Sequence, residues 1–235
     1  MNAYNVNERS QIKSLAGLNA YMRQVYLWMT VALGVSAIAA LFTATNPAML
    51  QAMYTSPFMI ILFAVALIGL SVYITARIHT LSSGAATGFF LLYATGMGVF
   101  LGPTLTLYTA SSVANAFLVT AGTFGGMSLY GMVTKRDLTG MGSFMMMGLW
   151  GILLAMIVNM FIGSSALDMT ISVIGVIVFT GLTAFDTQKL MQMGMNAPEG
   201  DALAMRRGAI LGALTLYLDF INIFLMLLRL FGNRD

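Results

Sequence analysis

The 235-residue chain has no cysteine, a single histidine and only nineteen charged side chains, 8% of the total. Without cysteine there are no disulfides and no thiolate ligands, and the redox compartment leaves no trace. One histidine, His79, and no cysteine leave the usual zinc and haem sites without ligands, so no resident cofactor is expected. A soluble domain carries roughly a quarter of its residues as charges. Nineteen is too few to wet the surface of a soluble 25.2 kDa protein. There is no basic tract, so the net charge of +3 does not point to nucleic acid.

What the chain has instead is apolar length. Hydrophobic residues make up 59% of it, gathered into runs near the twenty or so residues that carry a helix across a bilayer core. Runs between polar breaks predict seven spans, near 24–44, 57–76, 84–103, 111–133, 142–162, 168–187 and 208–230. The expected fold is an all-α integral membrane protein, a seven-transmembrane helix bundle. Residues 1–23 form a polar N-terminal segment and residues 24–235 a single membrane domain. The first span is too long for a signal-peptide core and reads as an uncleaved helix.

Lysine and arginine set the expected orientation. Arg9, Lys13, Arg23, Arg77, Lys135, Arg136, Lys189, Arg206 and Arg207 fall on one side of a seven-span arrangement, while the three alternate loops hold none. The N-terminal segment is therefore expected in the cytoplasm and the C-terminus outside, in a cell inner (plasma) membrane. A six-span chain with a re-entrant last helix would keep the same asymmetry.

Asp219 stands out. It lies twelve residues after Arg207 and ten before Arg229, or about 18 Å and about 15 Å along a helix. That is near the bilayer midplane, where an ionised carboxylate costs at least about 2.5–3.5 kcal/mol. It must face the interior, find a partner or hold a proton. Thr215 and Asn222 share its helical face. The plainer reading is a protonated Asp219 that only hydrogen-bonds a neighbouring helix.

The candidate partner is Asp186, three residues before Lys189. Two carboxylates sharing a site cannot both ionise cheaply, so they titrate as a unit. Such a pair holds one proton, or ionises and binds a hard cation through its oxygens. Depth is an obstacle: on ideal helices Asp186 lies near the cytoplasmic edge, so contact needs a tilted or broken helix or a water-filled vestibule. The alternative is a solvated helix-end residue beside Lys189. Arg77 is a candidate positive partner, although an end-anchoring arginine is the plainer reading. Asp168 reads as an interfacial cap, and Asn115 and Asn159 as helix-packing residues. The 21 methionines bring copper(I) to mind. Without cysteine or a histidine pair to pass the ion on, soft packing is the better account.

Two groups of residues resemble the Bax inhibitor-1 family, over essentially the whole chain. Gly98-Val99-Phe100-Leu101-Gly102-Pro103-Thr104-Leu105 and Ala116-Phe117-Leu118-Val119-Thr120-Ala121 are similar to its G-x-x-L-G-P-x-L and A-x-x-x-T-A elements. The match lapses at Gly122 and Thr123, where the family has aliphatic residues. More specific are Phe185-Asp186-Thr187-Gln188, Leu216-Tyr217-Leu218-Asp219-Phe220-Ile221-Asn222 and Leu227-Leu228-Arg229.

The resemblance implies seven helices with the last enclosed by the other six. It also implies that Asp186 and Asp219 form a pH-sensing pair gating a calcium leak, with both carboxylates as transient calcium ligands. Some members add an intramembrane Arg and Glu in the second helix. Arg77 matches the Arg, but no Glu occurs between Glu8 and Asp137, so a gate built on that carboxylate is not expected here. Other bacterial members restrain a membrane-bound ATP-dependent protease in a stress response, which requires no conduction.

A pH-dependent calcium leak is thus the leading expectation, with the lipid bilayer and calcium or protons as partners. A non-conducting regulator of a membrane protease is the alternative, and no enzymatic activity is expected. Asp219 lacks the glycine-x-glycine-aspartate setting of intramembrane aspartyl proteases. With no lysine after Lys189, a retinal pigment has no attachment residue.

Overall fold

The computed structural model describes residues 3–55, 57–195 and 201–233, with side chains from Gly17 onward apart from Pro57. Arg9 and Lys13, used above for orientation, have side chains outside that description. The described residues form eight helices: α1 Ala3–Thr45, α2 Pro47–Tyr54, α3 Pro57–Arg77, α4 Ser83–Leu105, α5 Ala110–Val133, α6 Thr139–Ile162, α7 Ser165–Met195 and α8 Ala202–Phe231. All except α2 contain a stretch long and apolar enough to cross a membrane. The chain is an all-helical, seven-span membrane protein.

Three boundaries differ from expectation, each for a local reason. Residues 45–56, expected as a loop, contain α2. Asn46 is extended before Pro47, and its Oδ1 accepts hydrogen bonds from the Ala48 and Met49 amides at 3.1 and 3.3 Å. That is a side-chain cap followed by proline in the first turn. The span α7 continues past Lys189 to Met195, because Leu190, Met191 and Met193 offer no break. The last helix begins at Ala202 and not near 208. Asp201 caps it, its Oδ1 accepting from the Ala204 amide at 2.8 Å. Between α6 and α7 the reversal is tight. Gly163 ends α6 at φ +66°, a left-handed conformation in which a side chain would be strained.

The helices group into two compact units. One holds α1 to α4 with Leu190–Leu214; the other holds Thr106–Lys189 with α8 from Thr215 onward. In the first unit α1 and α4 meet through small residues. Gly98 and Gly102 of α4 lie against Ser36 and Thr43 of α1. The Ser36 hydroxyl bridges the Ala32 and Ala94 carbonyls at 2.9 and 2.7 Å, linking the two helices. Lipid is as apolar as leucine, so close backbone approach and hydrogen bonds hold membrane helices together where hydrophobicity cannot.

In the second unit a core of Ile152, Ile171, Val178, Phe179, Leu182, Ile223, Met226 and Leu227 joins α6, α7 and α8. Phe220 of α8 packs between Phe117 and Phe124 of α5, with ring centroids 5.4 and 5.5 Å apart. The most enclosed span is α8: 72% of its apolar window is buried, against 6% in α6 and 11% in α3.

A methyl added at Gly98 would collide with the Ser36 carbonyl, whereas one at Gly122 meets nothing within 4 Å. Gly98→Ala is expected to destabilise the protein by about 1–3 kcal/mol through overpacking. Gly122→Ala should leave thermal unfolding in detergent unchanged. Comparing melting curves of the two variants checks this.

Candidate functional site

Asp186 and Asp219 both lie in the second unit, and their carboxyl groups are close enough to act on one another. Two carboxylates that close cannot both ionise cheaply. Asp219 is 4% exposed. Its Oδ2 has no hydrogen-bond partner among the described residues. Asp186 is half-buried. Lys189, three residues on, is close enough to act on the Asp186 charge, and its ammonium stands 6.0 Å from the Phe185 ring centre.

The α7 helix runs on past Asp186. Asp186 is nine residues from the end of α7, about 14 Å into the helix, and not at its mouth. Neither helix has to break. Gly175 against Met226 shows that α7 and α8 run antiparallel in contact. Asp186 and Asp219 lie eleven and seven residues from those positions, so the aspartates are offset from that register by about 6 Å.

The residues flanking Asp186 are held on every side by the second unit. Gly131 of α5 lies directly on the Ala184 carbonyl, and Gly142 of α6 on the Phe185 ring. The Thr187 hydroxyl donates to Ser128 Oγ at 3.4 Å. Gln188 reaches the α5–α6 loop twice: its Oε1 accepts from the Leu138 amide at 2.9 Å, and its Nε2 donates to the Arg136 carbonyl at 2.8 Å. Ser128, Gly131, Gly142 and Gln188 thus set where Asp186 stands. Sequence reasoning assigned none of them a role, although Gln188 lies within Phe185-Asp186-Thr187-Gln188.

Other candidates stand elsewhere. Arg77 is the exposed last residue of α3, in the first unit, outside the aspartate pair. Beside it in the same unit, the His79 carbonyl accepts from Arg207 Nη1 at 2.9 Å. Asn222 shares the Asp219 face in sequence, yet its Nδ2 donates to the Leu218 carbonyl of its own helix at 2.8 Å. Asn159, expected to pack helices, is a turn residue: its Oδ1 accepts from the Ser164 amide at 3.0 Å, just beyond the Gly163 reversal. Asp168 meets Arg229 at 3.6 Å. Asn115 is exposed.

Chemically, such a pair can hold one proton between two carboxyls and, without it, present up to four negative oxygens. Among the described residues no third acidic or histidine side chain joins them.

A buried carboxyl pair between the last two of seven spans defines a polytopic membrane protein with a titratable interior. The family model for "Inhibitor of apoptosis-promoting Bax1" matches residues 18–235. The chain is 49% identical over 225 residues to the inner membrane protein YbhL of Escherichia coli K12, covering 96% of each chain. An uncharacterized protein of Borreliella burgdorferi is 41% identical over 216 residues, covering 92% of this chain and 93% of its own. An uncharacterized membrane protein of Streptococcus pyogenes is 34% identical over 228, covering 95% and 96%. The chain belongs to the Bax inhibitor-1 family.

The loop that Gln188 anchors carries its own titratable group. Asp137 Oδ1 accepts from the Thr139 hydroxyl at 2.6 Å and the Thr139 amide at 2.9 Å. These bonds hold its carboxyl below the usual aspartate range. A depressed carboxylate contributes stability above its unfolded value and loses it as pH falls through the folded one. Thr139→Ala is expected to bring the Asp137 titration back up toward the ordinary range. Carboxyl-detected NMR titration of both proteins measures it.

Proposed function

We propose that this protein is a pH-sensitive calcium leak of a cell inner membrane, gated by the Asp186–Asp219 pair. The observation that carries the reading is the close approach of two carboxyls, one of them buried inside a membrane span with an oxygen that has no partner among the described residues. At low pH the shared proton holds α7 to α8 and the path stays closed. As pH rises the proton leaves, two like charges face each other, and the contact is lost. A local charge change then biases a two-state helix packing.

The open pair offers its carboxylate oxygens to a passing cation. Calcium takes six to eight oxygen ligands, so two carboxylates leave the rest to water. That suits a transient site better than a resident one. Lys189 beside Asp186 tempers the negative charge, which favours release. The protein works by passive conduction and not as an enzyme, and needs no cofactor. The E. coli relative named as an inner membrane protein supports the location. The lysine and arginine bias supports a cytoplasmic N-terminus and an external C-terminus.

A second reading rests on a different observation. Gly122 and Gly126 of α5 are exposed, and neither would crowd an added methyl. That leaves room for a partner helix, as a regulator of a membrane-bound ATP-dependent protease in a stress response would need. Co-purification of such a protease, with no flux by the isolated protein, would favour this reading.

Calcium flux into dye-loaded liposomes separates the two. The wild-type protein is expected to conduct more as pH rises. Asp219→Asn removes the shared proton yet keeps a hydrogen-bonding group, so its flux should lose most of its pH dependence. An unchanged pH profile would sink the gate.

A further inference from the structure

Arg229, in the Leu227-Leu228-Arg229 motif, has no part in the aspartate pair. It lines a cavity of about 410 Å³ in the second unit, together with Asn159, Ser164, Ser165, Asp168 and Ser172. The cavity lies at the end of α7 remote from Lys189, where α6 turns into α7 and α8 ends. Its volume is in the range of small-ligand pockets. We propose that it binds the headgroup of a phospholipid carrying both a phosphate and a primary ammonium, such as phosphatidylethanolamine.

Three features select that class. The first is paired charge. Arg229 Nη1 stands 3.6 Å from Asp168 Oδ1, with both side chains partly exposed. A long, single-bonded and solvated ion pair is weakly held, so each partner exchanges readily for a ligand charge. A guanidinium matches phosphate oxygens, and a carboxylate accepts from an ammonium. Arg229 also argues against the cavity as a cation entry, since it places a fixed positive charge in the mouth.

The second feature is depth. Asp168 is in the first turn of one span and Arg229 in the last turn of its neighbour, which is the headgroup layer of a bilayer. The third is continuity with apolar surface. Phe161, Ile162 and Met169 beside the cavity are exposed, so acyl chains lie along the helices while the headgroup turns inward. The polar rim is preset: Ser164 Oγ accepts from the Leu167 amide at 3.3 Å, and Ser172 Oγ donates to the Asp168 carbonyl at 2.9 Å.

Lipid retention by the purified full-length protein, read by native mass spectrometry, tests this. Phosphatidylethanolamine, phosphatidylcholine and phosphatidylglycerol are added in parallel. The ethanolamine lipid should be retained at least about fivefold over the choline lipid, whose quaternary nitrogen cannot donate to Asp168, and over the glycerol lipid, which has no cation. Asp168→Asn should erase the preference for ethanolamine over choline. Arg229→Gln should weaken all three lipids. The exchange of Asp168→Arg with Arg229→Asp keeps the ion pair, and so the helix contact, but should also abolish the preference. Equal retention of the three lipids by the wild-type protein would overturn the proposal. So would a preference that survives both Asp168→Asn and the charge exchange. Glycerophosphoethanolamine and inorganic phosphate serve as competitors. If either displaced the lipid at equal concentration, the site would be one for a free solute and the lipid assignment would fall.

Discussion

A carboxyl group placed mid-span has three ways to exist: ionised with a compensating charge, ionised in water, or protonated. Asp219 is buried in α8 with Asp186 of α7 close enough to act on it, and two carboxyls that close cannot both ionise cheaply. The two helices run antiparallel, with Gly175 against Met226 farther along.

The scaffold around the pair is stiff where the pair is conditional. Backbone and side chain approach closely on both sides of Asp186, at Gly131 against Ala184 and at Gly142 against Phe185. Gln188 saturates a donor and an acceptor of the loop between α5 and α6. Next to Asp219 in sequence, Phe220 meets Phe117 and Phe124 of α5 at tilted and edge-on angles. The same contrast recurs at the remote end of α7, where the weak Arg229–Asp168 pair sits on a turn pinned by Gly163 and Asn159.

The spans were legible because the bilayer sets a length. The one helix missed, α2, is too short to register as a span, and only the Asn46-Pro47 cap signals it. The extent of α7 was misjudged at Lys189. A charged residue looks like a boundary in sequence, yet a long flexible side chain stays inside a helix while its ammonium reaches outward. Asn159 was misassigned for a related reason: an amide that bonds its own turn is indistinguishable, in a linear string, from one that bonds a neighbour.

Composition alone determined that this protein lives in a membrane, because nineteen charges in 235 residues leave no aqueous surface to build. Apolar run lengths determined the seven spans, and the placement of Asp186 and Asp219 marked the residues that need a physical account. Tertiary structure alone decided that the two carboxyls come close enough to act on one another, and that Gln188, Gly131 and Gly142 hold one of them in place. Helical periodicity places residues on a face of their own helix. Which faces of two helices meet, and in what register, depends on packing between segments far apart in the chain.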